Sequence, residues 1–128
     1  MFQKNSFSIP SDSSGVLLVK VIQTRRCSKT KHAKIGKFLR VVIKNTLPEL
    51  LRKRKKKRRA IVIRSNHFNY VNQGYYYLFC DNSLVLLKKR MNTMGKEIYG
   101  PTSKLLKIKK FRVAFKLVFN EIFFKNFN

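Results

Sequence analysis

Acidic residues are nearly missing from this sequence: five Asp and Glu stand against 30 Lys and Arg in 128 residues, a formal charge of +25. Asp12, Glu49, Asp81, Glu97 and Glu121 are scattered along the chain. No two sit close enough in sequence to suggest paired-carboxylate chemistry or a cage of hard oxygen ligands. Cysteine is scarce too. Cys27 and Cys80 lack the CxxC spacing of a zinc or redox site, and two cysteines are too few to staple a secreted mini-protein, so both are expected to be reduced, structural side chains that pack as small hydrophobes. No apolar run approaches the roughly 20 residues that a membrane span needs. Met1 to Pro10 has neither the apolar core of a signal peptide nor the Arg-rich pattern of a transit peptide, so the protein is expected to be made where it works. His32 stands among cations with no acid beside it, and His67 lies in an Asn-rich stretch. A general base needs an orienting partner, so neither is expected to be catalytic, and no metal or cofactor is expected.

What is present points one way. A hydrophobic content of 44% supplies a core for a chain of this length, so the chain should fold. Unit charges 4 Å apart repel by about 1 kcal/mol even in bulk water, so the excess of cations calls for a polyanionic partner. Heavy use of Lys, Asn, Ile, Phe and Tyr, with little Ala, Gly or Pro, also matches an AT-rich gene of the kind common in organelles.

Along the chain, Asp12-Ser13-Ser14-Gly15 is a turn signal, with a Gly able to take positive φ. Strands are expected over Val16–Ile22, Phe38–Lys44 and Ala60–Ser65, where β-branched and apolar residues concentrate. Gln23 to Lys34 reads as an exposed basic loop, and Arg52 to Arg59 is a run of eight consecutive cations leading straight into the third strand. After the Asn-rich stretch Asn66–Gln73, Tyr75–Phe79 and Ser83–Leu87 read as strands that complete a three-stranded meander, with a last short strand at Glu97–Tyr99. Short strands at close spacing suggest a small barrel. Pro101 suits a helix start. Phe111, Phe115, Val118, Phe119 and Ile122 fit one helical face, but the alternation of Phe111, Val113, Phe115, Leu117 and Phe119 fits a strand equally.

Ala60-Ile61-Val62-Ile63, then Gly74, then Phe79-Cys80-Asp81-Asn82-Ser83-Leu84-Val85-Leu86 resembles the signature of the universal large-subunit ribosomal protein fourteen family. Asp12–Gly15, Ala33-Lys34-Ile35-Gly36, Thr46-Leu47-Pro48, Ile98-Tyr99-Gly100-Pro101 and Lys110-Phe111 are similar to further motifs of that family, in order, over about residues 8–122. The chain departs from the family at Lys37 and at Lys55-Lys56, where Asp and a Gly-Asp turn are usual, at Asn69–Asn72, where the family carries a basic arm, and at Gln73, where it prefers Asp, Asn or Ser.

The resemblance implies a mainly β single domain over residues 1–128: a small five-stranded β-barrel within 8–100, a projecting β-ribbon at about 63–79, and a short helical C-terminal region over 101–128, which favours helix for the Phe111–Ile122 segment. It implies a structural role in translation, not catalysis. The partners would be large-subunit rRNA, neighbouring large-subunit proteins, small-subunit rRNA through an intersubunit bridge, and a ribosome-silencing factor. The bridge candidate is the loop Glu49–Lys55, with Glu49, Leu50, Leu51 and Arg52.

Folded rRNA is held through phosphates and shape, so dispersed cations suit it. The rRNA-binding candidates are Arg25, Arg26, Lys29, Lys31, His32, Lys34, Lys37, Arg52, Lys53, Arg54, Lys55, Lys56, Lys57, Arg58, Arg59, Arg64, Lys88, Lys89 and Arg90. Tyr75, Tyr76 and Tyr77 either stack on bases or pack in the fold. The ribosome is expected to be mitochondrial and the gene organellar, with a plastid or an AT-rich bacterium as alternatives. A basic RNA-binding protein outside the ribosome is the rival reading; a membrane-surface role would need a one-sided basic helix that Arg52–Arg59 does not offer.

Overall fold

The structure is a computed structural model and describes residues 2–24, 32–53, 56–70, 74–103 and 106. Among the described residues the strands are β1 (Phe7–Pro10), β2 (Val16–Thr24), β3 (Phe38–Thr46), β4 (Lys57–Arg64), β5 (Asn69–Tyr70), β6 (Tyr76–Tyr77) and β7 (Ser83–Leu87). A 3-10 segment, Pro48–Lys53, kinks at Leu50 between β3 and β4. β1, β2, β3, β4 and β7 close a barrel in that order, while β5 and β6 pair only with each other as a ribbon.

The five-stranded barrel is as expected, but its strands are not all the expected ones. β1 closes the barrel, antiparallel to β2 and parallel to β7. It escapes a hydropathy reading because its pattern is inverted: Ser8 and Pro10 are buried, whereas Phe7 and Ile9 are 57% and 68% exposed. The Ser8 hydroxyl bonds Asn82 O, which makes the burial tolerable. The expected meander does not form. β4 pairs directly with β7, from Arg59↔Leu87 to Arg64↔Ser83, and Tyr76–Tyr77 leaves the barrel to join the ribbon. Glu97–Tyr99 is no strand either; it makes a single bridge, Ile98 to Asp12. The C-terminal helical region lies outside the described residues apart from its first few and Leu106, which is helical and buried.

The core follows from alternation. Leu39, Val41 and Ile43 of β3 face inward with Val19 and Val21 of β2, all fully buried. Ala60–Arg64 and Ser83–Leu87 are instead buried at every position. Their unbroken apolar runs are explained by a second layer, since Tyr77, Met91, Met94 and Ile98 pack against the core cluster. Each such aliphatic side chain contributes about 1.5–3 kcal/mol by burial.

Asp12 acts as a buried staple. Its carboxylate accepts from the Ser14 amide at 3.3 Å, the Ser14 hydroxyl and the Leu86 amide at 3.1 Å. Gly15, which ends this turn, has φ +76°, and a Cβ there would collide with the Leu50 side chain of the 3-10 segment. Gly15→Ala should therefore lose about 2 kcal/mol, from left-handed backbone strain plus overpacking. Chemical denaturation checks this; an unchanged midpoint would mean that the 3-10 segment moves away without cost.

Candidate nucleic-acid interface

The register of β3 against β4 places like charges face to face. Arg40 is the direct partner of Arg59, and Val42 that of Lys57. Lys20 of β2 stands across Val42 on the other side, its ammonium 5.6 Å from the centre of the Phe7 ring. Directly opposed residues have Cβ atoms about 4.5–5.5 Å apart and diagonal ones about 7–8 Å. Arg40, Lys57, Arg59 and Lys20 thus form one cationic patch on the outer wall, where Arg40 and Lys57 are exposed and the other two half-buried. Arg40 and Lys20 were not among the sequence candidates. The signal was the alternation of Phe38, Arg40, Val42 and Lys44 against the apolar positions between them.

Arg58 leaves its strand on the opposite face, that of its partner Val41. Its Nε is buried with no hydrogen-bond partner, and an unmet buried donor costs about 1–3 kcal/mol. Lys88, Lys89 and Arg90 form an exposed turn beyond β7. Because Leu87 pairs with Arg59, this turn sits at the barrel end where β4 begins. Lys56 is there too, its carbonyl accepting from the Ile43 amide at 3.2 Å. Lys34 and Lys37 are exposed toward the other end, where the Lys37 carbonyl accepts from the Val62 amide. Lys57 and Val62 are five residues apart on one strand, about 17 Å. His32 is half-buried, and its Nδ1 has no hydrogen-bond partner.

The other candidates divide. Glu49 is exposed and Leu50 half-buried on the 3-10 segment, which also carries Leu51, Arg52 and Lys53. Arg25, Arg26, Lys29, Lys31, Arg54 and Lys55 lie outside the described residues. Arg64 is not part of the surface. The residue is 8% exposed, and its guanidinium spends its donors internally, on Asp81 at 3.1 Å, Tyr99 O at 2.8 Å, Pro101 O at 3.2 Å and the Ser11 hydroxyl at 2.7 Å. Cys80 is free and exposed, at the turn before β7, contrary to its expected burial. Cys27 lies outside the described residues.

The tyrosines part ways. Tyr77 packs: burial raises its pKa, against the lowering effect of its hydrogen bond to Ser103. Tyr75 and Tyr76 are 65% and 61% exposed.

Between described residues the ion pair is Arg64–Asp81, so no described acid neutralises the patch around Arg40 and Arg59. The family model described as ribosomal protein L14p/L23e matches residues 1–119. With that match over a five-stranded barrel of one-signed charge, the chain belongs to the ribosomal protein L14p/L23e family and is a structural protein of the large ribosomal subunit.

Proposed function

We propose that this protein holds large-subunit rRNA through phosphates laid across the outer face of β3 and β4. The observation that carries the proposal is the Arg40–Arg59 pair, flanked by Lys57 and Lys20. Directly opposed like charges destabilise a sheet, and a phosphate between two guanidiniums converts that repulsion into bidentate attraction. Lys34 and Lys37 at one end of the wall, and Lys56 with Lys88–Arg90 at the other, extend the contact.

The 3-10 segment, with Glu49, Leu50, Leu51 and Arg52, is proposed to reach small-subunit rRNA as an intersubunit bridge. Its support is its position at the cationic end of the barrel, where the Thr46 hydroxyl bonds Leu50 O at 3.3 Å and Gly15 leaves room for the Leu50 side chain. The AT-type amino-acid bias supports a mitochondrial ribosome as the setting.

Gradient sedimentation of cell or organelle extract at rising salt tests the assignment. The protein should travel with the large subunit at low salt and leave it only as counterions compete for the phosphates. Finding it at the top of the gradient at low salt would identify a basic RNA-binding protein that works outside the ribosome.

A further inference from the structure

Ser65 to Cys80 contains no Asp, Glu, Lys or Arg, in a chain that carries +25 overall. Within that stretch the β5–β6 ribbon has two unlike faces. Asn69 and Tyr77 are register partners on one of them. Tyr77 meets Phe79 edge-on at 5.5 Å, and its hydroxyl donates to Ser103 Oγ at 2.6 Å. That face is pinned to the body of the protein. Tyr70 and Tyr76 are opposed on the other face. Phe68, two residues before Tyr70, meets the Tyr76 ring edge-on at 5.0 Å and 83°. Phe68, Tyr70 and Tyr76 are 48%, 76% and 61% exposed.

We propose that Phe68, Tyr70 and Tyr76 form a platform on which unpaired bases of the bound RNA stack. Three features favour bases as the occupant. The ribbon offers no cation to a phosphate, so its contribution is not backbone binding. Its exposed face is built mainly from rings, with Leu78, two residues after Tyr76 and half exposed, as its aliphatic member; every base presents a π-face to such rings. It also rises from the end of the barrel near which Lys34 and Lys37 are exposed, so RNA drawn in by charge is concentrated around it. Neutral stacking surface beside a cationic track is the combination that single-stranded nucleic acid requires. The phosphate contact orients the RNA, and the ribbon distinguishes looped from paired segments.

The proposal rests on RNA being the partner, and the experiment separates the two readings. The full chain is titrated with an unstructured RNA oligonucleotide and with an RNA duplex of equal length, each over a range of salt. Tyr76→Leu should weaken binding of the unpaired RNA about thirtyfold, the middle of the range for one lost stack. Duplex affinity and both salt slopes should stay at wild-type values. Tyr76→Phe keeps the ring and should bind as wild type does. Tyr70→Leu leaves the Phe68–Tyr76 contact in place and should repeat the selective loss, which guards against a ribbon that has simply come apart. Equal loss on both RNAs, or no loss on either, overturns the platform. So does a variant that binds both RNAs normally but fails to join the large subunit, which would make this face a protein dock. A wild-type salt slope near zero would instead overturn the phosphate reading.

Discussion

Arg64→Ala is expected to destabilise the fold by about 3 kcal/mol, more than the loss of any exposed cation of the barrel. The reason is the company the guanidinium keeps. It is nearly buried, and its donors hold together three separate parts of the chain: Ser11 after β1, Asp81 before β7, and the Tyr99–Pro101 turn. The ion pair itself is the smaller contribution, because the Asp81 side chain is 57% exposed and solvent screens it. Asp81→Ala should accordingly cost about 1 kcal/mol or less. The larger part comes from the carbonyls of Tyr99 and Pro101, which lose the charged donors that tie their turn to β4. Arg64→Lys should not rescue, since one ammonium cannot span partners on opposite sides of a planar fork. Gly100 sits under the same group, with φ +84°, and a Cβ there would overlap Arg64 Nη1. Gly100→Ala should therefore act like a weaker Arg64 variant. Denaturant midpoints of the four variants provide the ranking, and an Arg64→Ala midpoint equal to that of Asp81→Ala would show that the carbonyl bonds contribute nothing.

Arg64 also illustrates which parts of the molecule were legible in its sequence. β2, β3 and β7 were visible because their apolar residues either alternate or run unbroken between turn signals. β4 was visible only from Ala60 onward. Its first turn of pairing, Lys57 to Arg59, is hidden inside a run of cations in which no alternation can be seen. β1 was invisible because it buries Ser8 and exposes Ile9, a choice that only the hydrogen bond to Asn82 and the closure of the barrel explain. The ribbon strands read in sequence as part of a meander, because strands adjacent in sequence usually pair, whereas β4 finds β7 across the whole ribbon. Resemblance to the family supplied the ribbon that hydropathy did not. For the site, charge marked the right loops but could not tell Arg64, a cation spent inside, from Arg59, a cation facing out. That distinction depends on Tyr99 and Pro101, which are far away in sequence and acquire their meaning only when the barrel closes.

Arg40 and Arg59 should show the opposite behaviour: their removal is expected to strengthen the isolated fold while weakening RNA binding. Replacing both, together with Lys57, by Thr keeps strand-forming residues on the wall and removes three neighbouring positive charges. Relief of directly opposed like charges should raise stability by roughly 0.2–1 kcal/mol. Binding should move the other way. Each phosphate contact contributes about 0.7 to 0.9 to the slope of log affinity against log salt, so three lost contacts flatten it by about 2.1 to 2.7. Between 50 and 200 mM salt the wild type should then lose roughly twenty- to fortyfold more affinity than the variant. The two signs together are diagnostic. A side chain kept for packing loses stability when removed, and a solvated charge changes neither quantity much. Only a group held in an unfavourable place for the sake of a partner gains in one assay and loses in the other. Denaturation without RNA and titration with RNA at several salt concentrations measure both. An unchanged slope would remove β3 and β4 from the RNA-binding surface and shift the contact to the cations at the barrel's two ends, Lys34 and Lys37 at one and Lys56 with Lys88–Arg90 at the other.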